Sequence, residues 1–222
     1  MKPIIVFDLD GTLVDTAPDL IDALNHALEL GGAAPVDPVA HRPYLGFGAI
    51  VMIERAYQGQ NLPLDKDERT RLFDILIKHY GDQMPGRSAL FPGVADVMDR
   101  FEAAGYLLAI CTNKTERLAN RLMSGLGLSD RFAAICGQDT FAFRKPDPRH
   151  LVETIRMAGG DPDRAIMVGD SRADIDAAKA AGIPVVAVDF GYTDRHVREF
   201  EPSKVISHYK ELTLDLAERL LA

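Results

Sequence analysis

The chain has 222 residues, the length of one ordinary domain or of one core plus a smaller module. Hydrophobic residues at 47% and charged residues at 26% match globular averages and exclude disordered and fibrous classes. With 25 basic against 33 acidic residues the formal net charge is −8, so neither nucleic acid nor an anionic membrane surface is expected as a partner.

The first element is an apolar run, Pro3–Phe7, read as a buried strand. Asp8 and Asp10 cut it too early for the apolar region of a signal peptide. No run approaches the roughly 18 apolar residues of a membrane helix, and a cytoplasmic protein is expected. From Thr16 to about Met84 the pattern changes. Leu20, Leu24 and Leu28 share one helical stripe, Leu72, Ile75, Leu76 and His79 another, and no convincing strand intervenes. Pro35, Pro38, Pro43, Gly46 and Gly48 punctuate the middle of this stretch. It reads as an inserted all-helical domain with hinges at Asp15–Ala17 and Pro85–Pro92. The expected division is 1–15 with 86–222 as an α/β core, and 16–85 as the insertion.

Beyond the insertion, strands are expected at Tyr106–Cys111, Ala133–Cys136, Ala165–Val168 and Pro184–Val188. Helices between them are expected at Thr115–Leu126, Pro148–Ala158 and Ala173–Ala181, each stopped by a glycine (Gly127, Gly159, Gly182), and Leu212–Leu221 closes the chain. Strands alternating with helices imply a parallel α/β sheet of Rossmann-like type. Cys111 and Cys136 fall in apolar segments and read as buried free thiols, too few for a zinc site.

Four polar segments each follow a strand: Asp8–Asp15, Thr112-Asn113, Lys145-Pro146 and Gly169–Asp174. In an open parallel sheet the carboxyl ends of the strands face one crevice, so these segments converge. Asp8, Asp10, Asp170 and Asp174 would then crowd several carboxylates together. Two such charges ~4 Å apart repel by about 4 kcal/mol at an effective dielectric near 20, so the cluster needs a proton or a cation. An all-oxygen set without His or Cys suits Mg2+. With Mg2+, the Lys145 ammonium, the Thr112 hydroxyl and the close backbone approach allowed by Gly11, an acidic pocket becomes a phosphate site. Asp8 is placed to attack phosphorus. Asp10, kept protonated by its carboxylate neighbours, would protonate the leaving alcohol and later accept a proton from water.

Taken alone, the aspartates could be turn formers, Lys145 a solvated loop residue, and Thr112 and Ser171 helix caps. As an ordered set, Asp8-Leu9-Asp10-Gly11-Thr12-Leu13, Thr112-Asn113, Lys145-Pro146-Asp147-Pro148 and Gly169-Asp170-Ser171 with Asp174 resemble the motifs of the haloacid dehalogenase superfamily. The likeness is greatest to its phosphoglycolate-phosphatase-like members with a helical cap after the first motif. The resemblance spans essentially the whole chain. It implies Asp8 as nucleophile and Asp10 as acid and base, with Thr112, Asn113 and Lys145 binding the phosphoryl group. It further implies Mg2+ held by Asp8, the Asp10 main-chain carbonyl and Asp170, with Asp174 as a further or variable ligand. The substrate implied is a small phosphorylated metabolite, 2-phosphoglycolate first.

In the insertion, Arg42 is a candidate for a substrate carboxylate, as are His41 and Arg55; each could equally be a solvated surface group. Tyr44 and Phe47 could pack the hinge. Ile50, Val51 and Ile53 could face the core or a second subunit, so monomer and homodimer are both open. Rival functions are a phosphosugar mutase or a pyrophosphatase of the same fold, and a non-catalytic phosphate-binding regulatory domain. The last is disfavoured because Asp8, Asp10, Lys145 and Asp170 are all present.

Overall fold

Along strand β1 (Lys2–Phe7) alternate residues bury on opposite faces, and the rest of the molecule is organised by that alternation. The computed structural model describes residues 1–222. A two-residue strand β2 (Val14–Asp15) follows, then helices α1 (Ala17–Leu30), α2 (Pro38–His41), a 3-10 turn (Arg42–Phe47), α3 (Ala49–Gly59) and α4 (Lys66–Gln83). Strand β3 (Ala89–Leu90) returns to the remaining elements: α5 (Val94–Ala103), β4 (Leu107–Cys111), α6 (Glu116–Gly125), β5 (Ala134–Cys136), α7 (Pro148–Met157), β6 (Gly160–Gly169), α8 (Arg172–Ala181), β7 (Val185–Val188), β8 (Lys204–Ile206) and α9 (Leu214–Leu221).

Six strands form one parallel sheet in the order β5-β4-β1-β6-β7-β8. This is the Rossmann-like α/β architecture the alternating runs imply. All five expected strands form. The structure adds β8, whose three residues are too few to show a period, and the β2–β3 ribbon. It also adds α5, which begins after Gly93, a glycine at φ +88°. Strand β6 starts earlier than expected because Gly160 pairs with Lys2 across a register shift. The three glycines expected to stop helices do so: Gly127, Gly159 and Gly182 all lie near φ +70°.

One face of the sheet buries Ile5, Phe7, Leu108, Ile110, Ile166, Val168, Val186 and Val188 against α5, α6 and α9. The other buries Ile4, Val6, Ala109, Cys111, Ala165, Met167, Val185 and Ala187 against α7 and α8. Each fully buried Val, Leu, Ile, Phe or Met among them contributes about 1.5–3 kcal/mol, and both sheet faces are covered, as parallel strands require. Cys111 and Cys136 are free and buried, and burial pushes the Cys111 thiol up to about 12.

Residues 17–83 contain helices and no strand, and they build their own apolar cluster. Leu24, Leu28, Met52, Ile53, Leu72, Leu76 and Tyr80 fill it, joined from the sheet side by Leu118 and Tyr192. Ile53 is thus interior, whereas Ile50 is exposed. The two chain crossings into this helical block lie side by side. Val14 pairs with Leu90 and Asp15 with Ala89 in an antiparallel ribbon. Asp19 of α1 fastens the returning crossing by accepting hydrogen bonds from Arg87 N, Ser88 N and Ser88 Oγ.

Candidate active site

The sheet reverses its winding at β1, which has β4 on one side and β6 on the other. Residues just past these three strands meet at the switch point. Asp8 follows β1, and its N–H is held by Val168 O of β6 at 2.9 Å. Asp170 follows β6. Its Oδ1 accepts from Thr12 Oγ1 at 3.0 Å and its Oδ2 from Tyr192 N at 2.6 Å. Asp174, on the first turn of α8, accepts from Ser171 N and Ser171 Oγ through Oδ2, and Ser171 caps the same helix.

Gly11, at φ +81°, makes the turn after Asp10 possible. A Cβ there would stand 2.5 Å from Asp170 Oδ2, so glycine is also demanded by space.

Lys145 reaches this cluster from the loop before α7. Its Nζ lies 2.6 Å from Asp174 Oδ1 and 2.8 Å from Asp8 Oδ1, with the side chain 2% exposed. Two groups hold its backbone. Lys145 N donates to His150 Nδ1, and Asn113 Nδ2 donates to Lys145 O at 3.0 Å. His150 donates its other ring N–H to Gly137 O, and burial lowers its pKa to about 4, so the ring is neutral and fixed in one tautomer.

Carboxylate oxygens of Asp8, Asp170 and Asp174 lie within 4.8 Å of one another, all three residues buried. Burial raises Asp8 to about 6, with the charge of Asp174 adding and Lys145 opposing. Burial likewise raises Asp170 well above the usual carboxylate range, reinforced by Asp8 and Asp174. Desolvation works against the Lys145 ammonium, but Asp174 and Asp8 more than offset it and hold its pKa high. Three buried carboxylates thus face one ammonium. Asp8 Oδ1 has the Lys145 ammonium at 2.8 Å as its one close partner, and that ammonium is shared with Asp174. Three buried carboxylates with a single cation among them, a pocket of net negative charge, fit a hard divalent cation.

Asp10 has turned away from this cluster. Lys114 Nζ lies 2.7 and 2.8 Å from its two carboxylate oxygens, and Thr16 Oγ1 donates to Oδ1 at 2.7 Å. This corrects the expectation that neighbouring carboxylates keep Asp10 protonated: its partner is a cation. The Lys114 side chain is 6% exposed, and its Nζ also bonds Tyr80 Oη of α4 at 3.0 Å. Desolvation opposes the Lys114 charge, yet Asp10 and Tyr80 hold its pKa above the ordinary value. As a metal ligand, Asp10 was expected to act through its main-chain carbonyl; its carboxylate stands outside the three-carboxylate group.

Thr112 is buried at the end of β4, its N–H bonded to Cys136 O and its Oγ1 accepting from Lys114 N. Arg42 is not at the cluster. It bonds Asp15 Oδ1 at 3.3 Å and its guanidinium lies 4.9 Å from the Tyr192 ring centroid, at the junction between block and sheet. His41 is buried with Nε2 at Met52 O, Arg55 lies over the Tyr44 ring, and Phe47 is half exposed. Sequence reasoning missed Lys114, Tyr80, Thr16, His150 and Tyr192. The adjacency of Lys114 to Thr112-Asn113 was the one available signal; the others look like ordinary core or cap residues.

Comparison with known proteins gives the family of the chain. Residues 5–188 match the model of the haloacid dehalogenase-like hydrolase family. A phosphoglycolate phosphatase of Mesorhizobium japonicum is 64% identical over 220 residues, 99% of this chain and 97% of that protein. One of Agrobacterium fabrum is 49% identical over 224 residues, 100% of this chain and 95% of that protein. The crystal structure of a predicted phosphoglycolate phosphatase from Haemophilus somnus superposes with a TM-score of 0.87 at 28% identity, covering 95% of this chain and 96% of that one. No helix here is long and apolar enough to cross a membrane. The chain belongs to the haloacid dehalogenase-like hydrolases and is an enzyme of the phosphoglycolate-phosphatase-like kind.

Proposed function

We propose that this enzyme hydrolyses a small phosphomonoester, 2-phosphoglycolate first, with Mg2+ and through a phosphoryl ester of Asp8, in the cytoplasm. The observation that carries the reading is the buried trio of Asp8, Asp170 and Asp174, whose three carboxylates share one ammonium. The names of the full-length relatives support the substrate.

Asp8 and Asp170 would hold the ion, since both oxygens of Asp174 are engaged by Lys145 and Ser171. When bound, the ion neutralises carboxylates and charge on the phosphoryl oxygens. Lys145 presents a point charge to the phosphoryl group, with the Thr112 hydroxyl and the Asn113 amide at the same strand ends. An Asp8 oxygen forms a bond to phosphorus as the bond from phosphorus to the ester oxygen breaks, and Asp10 gives its proton to the departing alkoxide. Water then attacks phosphorus, Asp10 takes its proton, and the Asp8–phosphorus linkage breaks to release phosphate. Lys114 pairs with the ionised form of Asp10, so it stabilises the state that accepts the proton from water and must yield when Asp10 donates.

Helices α1–α4 act as the cap over this site, with residues 16–85 moving relative to 1–15 and 86–222 and excluding bulk water when seated. Arg42, at the rim of the junction, is the candidate to read a carboxylate on the substrate.

Phosphate release from a panel of phosphomonoesters, with Mg2+ and with Asp8→Asn, tests the reading. Turnover by the wild type and none by the variant is expected, and borohydride reduction during turnover should convert Asp8 to homoserine. Sugar-phosphate isomers without free phosphate would identify a mutase instead. Equal inactivity of both proteins would favour the phosphate-binding domain.

A further inference from the structure

Tyr192 touches both the acidic cluster and the helical block, through different atoms. Its main-chain N–H donates to Asp170 Oδ2 at 2.6 Å. Its Oη donates to Asp15 Oδ1 at 2.6 Å and accepts from Ala17 N at 2.9 Å, binding the crossing into α1. The ring is 1% exposed, packs into the apolar cluster of the block and carries the Arg42 guanidinium over its face.

No slack exists on either side of this residue. A Cβ on Gly191 would stand 2.2 Å from Asp170 Cβ, so the Tyr192 loop lies hard against the aspartate. A Cβ on Gly46, in the 3-10 turn of the block, would stand 2.4 Å from the Tyr192 carbonyl oxygen. Gly46 has no positive φ, so its only demand for glycine is that contact. Close-packed interiors transmit such displacements instead of absorbing them.

We propose that Tyr192 is a positioning residue that couples the seating of helices α1–α4 to the orientation of Asp170, and thereby to divalent-ion affinity. The block presses on Tyr192 through Gly46 and Ala17, and Tyr192 aims the Asp170 carboxylate through its N–H. Neither Gly46 nor the Tyr192 hydroxyl touches Asp8, Asp170 or Asp174, so an effect of either on ion binding passes through this link. The proposal rests on the reading of Asp170 as an ion ligand.

The test titrates Mn2+ into the wild type, Tyr192→Phe, Gly46→Ala and Asp170→Asn, following free Mn2+ by electron paramagnetic resonance. Circular dichroism confirms that each variant is folded. Tyr192→Phe keeps the ring and the N–H but frees Asp15 and Ala17; Gly46→Ala pushes from the block side. Both are expected to raise the Mn2+ Kd at least threefold. The double variant should fall short of the product of the two effects, since the changes share one path. If either single variant binds Mn2+ as the wild type does while Asp170→Asn weakens it, the coupling is overturned and the ion site stands. If Asp170→Asn binds as tightly as the wild type, the ion site itself is overturned and the coupling with it.

Discussion

Lys114 grips both oxygens of Asp10 at 2.7 and 2.8 Å, and the same ammonium is hydrogen-bonded to Tyr80 of the helical block. The candidate acid–base group is therefore neutralised by a cation that itself depends on α4. Lys114→Met should leave a half-buried carboxylate unpaired and cost on the order of 2–3 kcal/mol of stability. It should also slow phosphate release by roughly 10²-fold or more, the range for losing a positioned acid–base group. Denaturant unfolding and steady-state kinetics on one preparation check both; full activity with lowered stability would make the pair purely structural.

For an ion bound as proposed, the raised pKa of Asp8 sets the pH response. Folding favours the neutral carboxyl, so this contribution is present below about 3.8 and is lost as pH rises through about 6, on the order of 3 kcal/mol. His150 has the opposite sign. Its pKa falls from 6.5 to about 4, so its contribution is present above 6.5 and lost as pH falls through about 4. His150 offsets part of the Asp8 contribution in the metal-free melting point, while Asp170, raised in the same direction as Asp8, adds to it. The increase in melting point caused by Mg2+ isolates the carboxylates, because the ion competes with their protons. That increment should be small near pH 5, grow toward pH 7, and shrink at every pH in Asp170→Asn. An increment independent of pH would contradict the cluster as the binding site.

Asp19 tests the junction without touching the cluster. Asp19→Ala strands Arg87 N, Ser88 N and Ser88 Oγ, at about 1–3 kcal/mol for each buried donor left without a partner. A loss of about 3 kcal/mol in all, or roughly 8 °C in melting temperature, is expected. Scanning calorimetry with Asp19→Asn alongside should show partial retention, since the amide keeps an acceptor.

Arg42 is spread over the Tyr192 ring and the Asp15 carboxylate and is about a third exposed, so its existing contacts are worth little and can be exchanged. Arg42→Ala should raise KM for a phosphomonoester bearing a carboxylate more than for a neutral one, with kcat changed less than KM. Equal shifts in KM for the two esters would remove Arg42 from substrate recognition.

The cluster was legible because each of its residues follows an apolar run, and parallel strands bring their carboxyl ends together whatever the intervening length. Asp8 and Asp170 are far apart in sequence yet adjacent because β1 pairs with β6. What could not be read is which partner each polar group takes. Asp10 lies two residues from Asp8 and was expected to share its carboxylate surroundings. The turn at Gly11 hands it instead to Lys114, and Tyr80 completes the contact from a helix whose tyrosine reads as ordinary core. Tyr192 follows β7 in a loop with no periodic pattern, and only the closeness of three backbones gives it a role.

The β2–β3 ribbon has a consequence for how the helical block can travel. Two independent tethers would allow it to twist as well as tilt. Here the outgoing and returning strands are bonded to each other at Val14–Leu90 and Asp15–Ala89, so both must flex together. Any displacement of α1–α4 would therefore strain both crossings at once, since neither can yield without the other.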